Sequence, residues 1–590
     1  MEALPMYCYR DPRSINFVRA APAPAESPAR PPGAFRGAAQ VFRTQELLAL
    51  ICQEILPGDP TSLSRARVLE GRKRLRDLAL TCSTTKEAAL NSLWSYLDCL
   101  LPLVKVLPNV QLIGNTYHFR GTSLPPDAAF RSYASRLRIL GVPLGSDVGL
   151  RAAEKVIAPQ VYVVLARIAA GDHFFPGLRT IFFGSRLLDP TVHTAALPIL
   201  ISPVLEKITF FGKGVSRPIF ASYSLPLLAE QSRDTLKHLT IETPTGEPVA
   251  QDIFAPILLL EELETLDLRF PEATGIEPRS LLDILGALPS LRILTLDVHF
   301  PQHQVPNRYF SQNASQLGLR IGGLQSVHLF SRCQKICGCL PGCLLERMTH
   351  LTMIVNESML EDGGERFNHN RGVLSRASNL RKLDLVVNGT VGETRDLTLL
   401  AGTVEEYSVD ATAIEDPDAH NCITGKLVHN RPALKSLSLS SRSRSGGYQG
   451  IPLTCIQHIA NDGREINHLA LEFLPLLCPN QIGEPRSIVA DILRGWLRQL
   501  RSTNYKSRSK LRTLAIRERT YDSFSRASLS VEQGNALAQI LDILFPSLES
   551  IRPFVDSEAT YWYWSGRWLE IETLRKTYKA LRLAQTSSSR

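Results

Sequence analysis

The feature that most constrains this chain is a short apolar pattern that recurs from residue 178 to residue 551. In each copy an apolar residue is followed by two others, a second apolar residue, one other and a third apolar residue. The copies are Leu178-Ile181-Phe183, Leu205-Ile208-Phe210, Leu236-Leu239-Ile241, Leu263-Leu266-Leu268, Leu291-Leu294-Leu296, Leu324-Val327-Leu329, Met348-Leu351-Met353, Leu380-Leu383-Leu385, Val404-Tyr407-Val409, Leu434-Leu437-Leu439, Ile466-Leu469-Leu471 and Leu511-Leu514-Ile516, with an incomplete copy at Leu548-Ile551. From the second copy to the eleventh, successive copies begin 24 to 33 residues apart. A period sustained in this way indicates one structural unit stacked on itself many times.

The pattern predicts a short β-strand in each unit, because side chains alternate between the two faces of a strand. The last two apolar residues of a copy would then point inward together. Several copies follow a helix-like segment, as in the stretch from Ser280 to Leu291. One such unit cannot bury its apolar side alone, whereas a stack can. We therefore predict an α/β solenoid of the leucine-rich-repeat type over residues 109–590, with a helical cap at its C-terminal end.

The match to the leucine-rich repeat is degenerate at one position. The usual repeat has Asn or Cys eight positions after its first Leu, where the side chain bonds the backbone of the turn. Only Asn356 and Asn388 occupy that position here, and other copies have Lys213, Pro271 or Arg332. We therefore expect an irregular solenoid with uneven curvature. For the late aromatic run Tyr561-Trp562-Tyr563-Trp564 and Trp568, we favour a place in the cap over an exposed interface anchor.

Residues 41–108 have a helical pattern instead. Residues 1–40, which precede them, are rich in Pro, Ala and Arg and have little to bury, so they predict a disordered leader. A helix is expected from Glu46 to Leu56, and Pro57-Gly58 stops it. Its apolar face consists of Leu47, Leu48, Ile51 and Ile55.

A second helix in this segment begins at a capping box formed by Thr84 and Glu87. Its apolar face consists of Leu90, Leu93, Trp94 and Leu97. The basic stretch between the two helices, from Ser64 to Arg76, contains six Lys or Arg residues and one Glu. We interpret it as a solvated loop or an exposed helix face rather than a nucleic-acid or localisation element. The segment predicts a small all-α domain.

We find none of the sequence motifs of common catalytic sites. The chain lacks a Walker A loop, a Gly-x-Ser-x-Gly elbow, a dinucleotide fingerprint and a His-Glu-x-x-His helix. Four thiols, Cys333, Cys337, Cys339 and Cys343, lie within eleven residues and could hold zinc tetrahedrally. Their spacing is not the usual pair of C-x2-C knuckles, so we favour a cysteine-rich connector. We expect no enzyme activity, no cofactor and no metal.

The strand positions that face away from the predicted core can be read from the same pattern. They stand two, four and six places after the first apolar residue of each copy. They include Lys207, Thr209 and Phe211; His238, Thr240 and Glu242; Thr265, Asp267 and Arg269; Lys382, Asp384 and Val386; and Ser436, Ser438 and Ser440. Nucleic acid would need a stripe of Arg and Lys with few acids. The mixture of charges, aromatics and hydroxyls favours a protein ligand.

The segment from Val41 to Pro108 resembles the F-box motif, particularly that of fungal F-box proteins. The resemblance rests on Glu46-Leu47-Leu48 with Ile51 and Ile55, on Leu78-Ala79-Leu80-Thr81-Cys82, on Ala88-Ala89-Leu90 with Leu93-Trp94, and on the run from Leu100 to Pro108. It covers about one ninth of the chain. The repeats that follow look like the substrate-binding half of an F-box plus leucine-rich-repeat protein.

This resemblance implies a non-catalytic substrate receptor of a cullin–RING ubiquitin ligase. It implies that a Skp-type adaptor is bound by Glu46, Leu47, Leu48, Ile51, Ile55 and Leu78, while the repeats bind an unknown target protein. The alternative for those leucines is packing within a helical cap of the solenoid. A solenoid scaffold outside the ubiquitin system therefore stays open, and so does, more remotely, a hydrolase or transferase built on the solenoid.

Composition limits where such a protein acts. The chain is 44% hydrophobic and 21% charged, values that exclude a wholly disordered chain. Its net charge of +9 is small over 590 residues and does not point to nucleic acid. No apolar run approaches the ~18 residues that span a bilayer. With eleven cysteines in all, too few for a disulfide scaffold, we expect a cytoplasmic or nuclear protein.

Overall fold

The computed structural model describes residues 44–57, 65–120, 128–141, 156–169, 173–183, 196–243, 249, 251–270, 288–298, 323–330, 347–356, 377–391, 403–414, 428–429, 431, 433–441, 455–473, 487–503, 505–518, 531–553 and 558–588. The predicted leader and the four cysteines from Cys333 to Cys343 lie outside these described residues. The chain divides into two compact units, residues 1–93 and residues 94–590.

The described part of the first unit is helical. Helix α1 spans Gln45–Ile55, α2 spans Arg65–Thr81 and α3 spans Ser83–Trp94. The helix predicted before Pro57 is thus confirmed, and Leu56 follows it with an extended backbone. Helix α3 begins one residue before the predicted cap, so Thr84 lies inside its first turn. Leu97 is not on this helix, because α3 ends at Trp94.

The second unit is built on a parallel sheet of fifteen strands. They are β1 (Tyr96–Leu97), β4 (Ile139–Leu140), β6 (Thr180–Phe183), β7 (Lys207–Phe211), β8 (His238–Glu242), β9 (Thr265–Phe270), β10 (Ile293–Val298), β11 (Ser326–Leu329), β12 (His350–Asn356), β13 (Lys382–Val391), β14 (Glu406–Ile414), β15 (Ser436–Ser441), β16 (His468–Phe473), β17 (Thr513–Glu518) and β18 (Ser550–Pro553). They pair in that order along the sheet. A long parallel sheet in chain order is the architecture of a solenoid-like repeat fold.

Further elements of the second unit lie between and beside these strands. A small sheet contains β2 (Val110–Ile113), β3 (Thr116–Phe119) and β5 (Val156–Ile157). The described helices are α4 (Leu101–Val104), α5 (Ala128–Ala134), α6 (Pro159–Ala169), α7 (Leu225–Ser232), α8 (Phe254–Ile257), α9 (Cys455–Asp462), α10 (Ser487–Ser502), α11 (Val531–Leu544) and α12 (Glu558–Ser588). Within the described ranges, no helix has the length and apolar content that crossing a membrane requires.

The repeated apolar pattern forms the core of the sheet. Each predicted copy lies on or immediately before a strand, and every residue of the thirteen copies is at most 5% exposed. The parallel register places equivalent residues side by side, as in Ile208, Leu239 and Leu266. The copies therefore form three apolar columns that run along the stack. Truncating one such Leu to Ala costs about 2–5 kcal/mol.

The stack is held together by the backbone at one edge. The residues that directly follow the first apolar residue of each copy form a row along this edge, which we call the edge row. Ser95 and Arg138 hold the same place before β1 and β4 and begin the row. It continues as Arg179, Glu206, Lys237, Glu264, Arg292, Gln325, Thr349, Arg381, Glu405, Lys435, Asn467, Arg512 and Glu549. The carbonyl of each edge-row residue through Arg512 accepts two N–H groups from the next repeat, at 2.7–3.1 Å. This unbroken ladder fixes the register of every junction independently of the side chains.

The edge-row side chains alternate in charge over much of their length. Neighbouring pairs are Arg179 with Glu206 at 3.3 Å, Lys237 with Glu264 at 3.2 Å, and Glu405 with Lys435 at 2.7 Å. These pairs are exposed, so each contributes only about 0.2–1 kcal/mol. From Arg179 onward, their main effect is that like charges do not meet across a junction; Arg138 and Arg179, at the junction before it, are both basic.

Helix α12 covers the last strand of the sheet. Trp568 and Ile571 of this helix belong to the core, and its Arg575 is fully buried. The Arg575 guanidinium donates to the carbonyls of Leu548 at 2.9 Å and Glu549 at 3.5 Å. Glu549 is the last edge-row residue, so Arg575 binds the carbonyl that a further repeat would have used. The aromatic run Tyr561–Trp564 lies on α12, in the part whose side chains the structure does not describe.

The sheet begins earlier in the chain than residue 109. Strands β1 and β4 pair in parallel through Tyr96 with Ile139 and Leu97 with Leu140, and β4 continues to β6. Each of these strands has only two residues, too few to complete the apolar pattern. A partial copy, Leu137-x-x-Leu140, was nevertheless present in the sequence.

Candidate interaction surfaces

Helix α1 has two apolar faces, and only one of them is used inside the first unit. Leu48 and Cys52 are 2% and 0% exposed. Leu47, Leu50 and Ile51 are 41%, 57% and 40% exposed. Residues three and four apart share a helix face, so these three exposed side chains form one apolar patch, which we call the α1 patch.

The residues predicted to bind an adaptor are divided between these two faces. Glu46, Leu47 and Ile51 are exposed, Ile55 and Leu78 are half-buried, and Leu48 is buried. Leu48 therefore packs in the core of the unit instead of lying in the exposed patch. Sequence reasoning missed Leu50, although its place three residues after Leu47 follows from the helical period.

The buried face of α1 is fixed by a close approach of α2. A Cβ atom added at Gly71 would lie 2.8 Å from the Ile55 carbonyl oxygen and 3.3 Å from Leu56 Cδ1. Val68 and Leu75, on the same face of α2, are 6% and 0% exposed. The absence of a side chain at Gly71 thus lets α2 lie against the C-terminal end of α1.

The basic stretch lies on the exposed side of α2, as one of the two predicted interpretations requires. Arg67, Lys73, Arg74 and Arg76 are exposed. Arg74 Nε bonds Glu70 at 3.0 Å, and Arg76 Nη2 bonds Asp77 at 2.9 Å. Acidic side chains on the same helix therefore balance part of this charge.

The turn between α2 and α3 contains an exposed thiol. Thr85 is buried and donates its hydroxyl hydrogen to the Leu78 carbonyl at 2.9 Å. Hydrogen bonds from Thr84 and Thr85 lower the pKa of Cys82 to about 7. Burial instead raises the pKa of Cys52. Of these two thiols, Cys82 is the more nucleophilic at neutral pH.

The second surface is the face of the long sheet that points away from the core, which we call the open face. Side chains at the predicted outward positions alternate with buried ones along each strand, as on β7, β8 and β9. The predicted alternation is confirmed there. The parallel register then places outward residues of successive repeats in rows, for example Asp267 beside Thr295 and His328.

A charged cluster lies on the open face where β8, β9 and β10 meet. Arg269 forms a bidentate salt bridge with Asp267, in which Nε donates to Oδ1 at 3.0 Å and Nη2 donates to Oδ2 at 2.9 Å. Its Nη1 lies 3.6 Å from Glu242, and its guanidinium carbon lies 5.6 Å from the centre of the Phe330 ring. Burial raises the pKa of Glu242, and the nearby Asp267 and Asp297 raise it further. Several carboxylates thus share one cation.

A second cluster surrounds Lys382 on β13. Its Nζ lies 3.7 Å from Asp384 and 3.7 Å from Glu406. On β11, which is separated from β13 by β12, His328 Nε2 lies 3.1 Å from the Ser326 hydroxyl. Burial lowers the pKa of His328, so this imidazole is neutral at physiological pH.

Between the two clusters the open face contains a cavity of about 250 Å³. Its lining includes Arg269, Thr295, His328, Phe330 and Ile354. Thr295 is only 8% exposed. The strands thus form a recess with an aromatic wall and the side chain of Thr295.

Titratable side chains do not assemble into a metal site within the described ranges. No group of three or more His, Cys, Asp or Glu residues there has the geometry to hold an ion. The four-cysteine segment, from Cys333 to Cys343, lies outside these ranges. Its interpretation as a connector stays a prediction.

Comparison with known proteins leaves the family open. No family model matches the chain, and no curated protein sequence matches it. One similar solved structure, the TLR13–ssRNA13 complex, has a TM-score of 0.30 and 12% identity over 71% of this chain and 49% of that one, so the chain spans about half of the TLR13 length. Another, the complex of Rad7 and Elc1 in yeast, has a TM-score of 0.28 and 15% identity over 64% of this chain and 88% of that one. Neither similarity assigns a family, a partner or an activity.

Proposed function

We propose that this chain is the substrate-recognition subunit of a cullin–RING ubiquitin ligase, acting in the cytoplasm or the nucleus. In this proposal the α1 patch docks on a Skp-type adaptor, and the open face of the sheet binds a target protein. The chain performs no chemistry itself; it raises the local concentration of the target near the ubiquitin-loaded enzyme.

The observation that carries the adaptor half of the proposal is the α1 patch. Leu47, Leu50 and Ile51 are large apolar side chains that the described part of the first unit leaves exposed. A contiguous exposed apolar patch on a helix is typical of a protein–protein contact. The sequence resemblance of this segment to the F-box motif supports an adaptor as the protein that covers it.

The test is adaptor binding by a variant in which Leu47→Asp and Ile51→Asp are combined. Burying one such side chain contributes about 1.5–3 kcal/mol. Losing two of them should therefore weaken adaptor binding more than about hundredfold. Leu48 is left unchanged, because an aspartate in the core would unfold the unit and confuse the result.

The matched control combines Gln45→Asp with Ala49→Asp. Both residues are exposed on α1, neither stands three or four residues from a patch residue, and the variant adds the same charge. Both variants should keep the far-ultraviolet circular dichroism of the parent chain. Equal adaptor binding by the two variants, or no binding by the parent chain, would reject adaptor docking. A repeat scaffold outside the ubiquitin system would then be the better description.

A further inference from the structure

The open face is acidic over its central seven strands, although the chain as a whole is basic. Outward positions of β8 to β14 have six carboxylates and two cations. The carboxylates are Glu242, Asp267, Asp297, Asp384, Glu406 and Asp410, and the cations are Arg269 and Lys382. These strands extend over roughly 29 Å at ~4.8 Å per strand. The formal charges at these described strand positions therefore sum to −4, against +9 for the chain.

The ion pairs of Arg269 and Lys382 do not remove the excess at the carboxylates that they contact. Arg269 serves both Asp267 and Glu242, and Lys382 serves both Asp384 and Glu406. Each cation is thus shared by two carboxylates, which leaves one uncompensated charge at each place. A partner with positive charge would reduce this repulsion, and opposite charges also speed and orient association.

The cavity between the clusters is an independent indication that something binds here. Thr295 lines it and is 8% exposed as a residue. Its hydroxyl can both donate and accept a hydrogen bond, so it is available to a polar group that enters the recess. Phe330 and Ile354 form an apolar wall beside it. The volume of about 250 Å³ has room for one anchoring side chain.

We propose that the open face from β8 to β14 binds a basic protein segment, whose Lys and Arg side chains meet the carboxylates while one anchoring side chain enters the Thr295 cavity. The proposal concerns the target-binding half of the proposed function. It holds equally for a scaffold outside the ubiquitin system, because it uses no residue of the α1 patch.

The test is selection of random twelve-residue peptides on the full-length chain, followed by affinity measurement on the best synthetic peptide. We expect selected peptides to be enriched in Lys and Arg. The dissociation constant should rise as NaCl increases from 50 to 300 mM. Combining Asp384→Asn with Glu406→Gln should weaken binding about fivefold. Replacing Thr295 by Val, which removes the hydroxyl and keeps the shape, should weaken it about threefold.

The matched control combines Glu230→Gln with Glu532→Gln. Both residues are exposed on helices, so the change in net charge is the same away from the open face. This control should bind the peptide as the parent does. Selected peptides without an excess of Lys and Arg, or equal losses in the two double variants, would overturn the proposal. Adaptor binding is measured separately, so its failure would leave this result unaffected.

Discussion

Replacing Arg575 by Met tests how the solenoid ends. Met, like Arg, has a long unbranched side chain, so the substitution still fills this fully buried position. It removes the guanidinium. Four hydrogen bonds to three residues are lost: two to Glu572 at 2.7 and 2.9 Å, one to the Leu548 carbonyl at 2.9 Å and a longer one to the Glu549 carbonyl. Glu572, 5% exposed, then lacks its main partner.

The magnitude follows from what remains after the change. Breaking a buried pair by removing one partner costs about 3–5 kcal/mol. Lys576 still lies 3.3 Å from Glu572, and Lys579 still donates to the Leu548 carbonyl at 3.1 Å. These residual contacts place the cost at the low end, about 3 kcal/mol. Because repeats contact only their neighbours, the loss should be local to α12 and β18.

Amide hydrogen exchange measures this directly. A loss of about 3 kcal/mol should lower protection in β18 and α12 by roughly a hundredfold. Protection of β8, ten strands away along the sheet, should stay unchanged. Combining Arg575→Met with Glu572→Leu should restore much of the protection, since an apolar pair can replace a buried ion pair. Unchanged exchange in β18, or an equal loss in β8, would refute the capping role.

Three further changes probe the core and the first unit. Tyr407→Phe should raise the free energy of unfolding by about 1 kcal/mol in urea titration, because the Tyr407 hydroxyl is buried without a partner among the described residues. Gly71→Val should lower the melting temperature of the first unit, at a cost of about 1–3 kcal/mol, since its side chain would meet the Ile55 carbonyl. Alkylation of Cys82 should accelerate as pH rises from 6 to 8, because its pKa is lowered to about 7, while Cys52 stays slow by mass spectrometry.

The apolar columns of the sheet could be predicted from the sequence. Leu239 and Ile241 on β8 are both fully buried, as their place in the pattern requires. The period of two along a strand and the recurrence along the chain give the same answer at each copy. Because the strand period and the repeat along the chain agree, the core residues of such a sheet can be identified from the sequence.

Other features depend on contacts between residues that are far apart in the sequence, and a local sequence pattern does not contain these contacts. Arg575 has the sequence character of an exposed basic helix residue, and only the end of the carbonyl ladder explains its burial. Leu47 and Leu48 are equivalent in the apolar pattern of α1, but the folded unit buries Leu48 and leaves Leu47 exposed. The outward place of Arg269 could be predicted, whereas its sharing between Asp267 and Glu242 follows from the register.

The charged side chains of the edge row and those of the open face are arranged differently. The first arrangement favours stability, and we attribute the second to binding. In the edge row, opposite charges are neighbours at successive junctions, as for Lys237 and Glu264, an arrangement that favours stacking. On the open face, carboxylates accumulate and share too few cations, which works against stacking by the same physics. The carbonyl ladder and the apolar columns hold the register without help from these outward positions. The open face can therefore retain an unfavourable charge, and a basic partner is the simplest means of offsetting it.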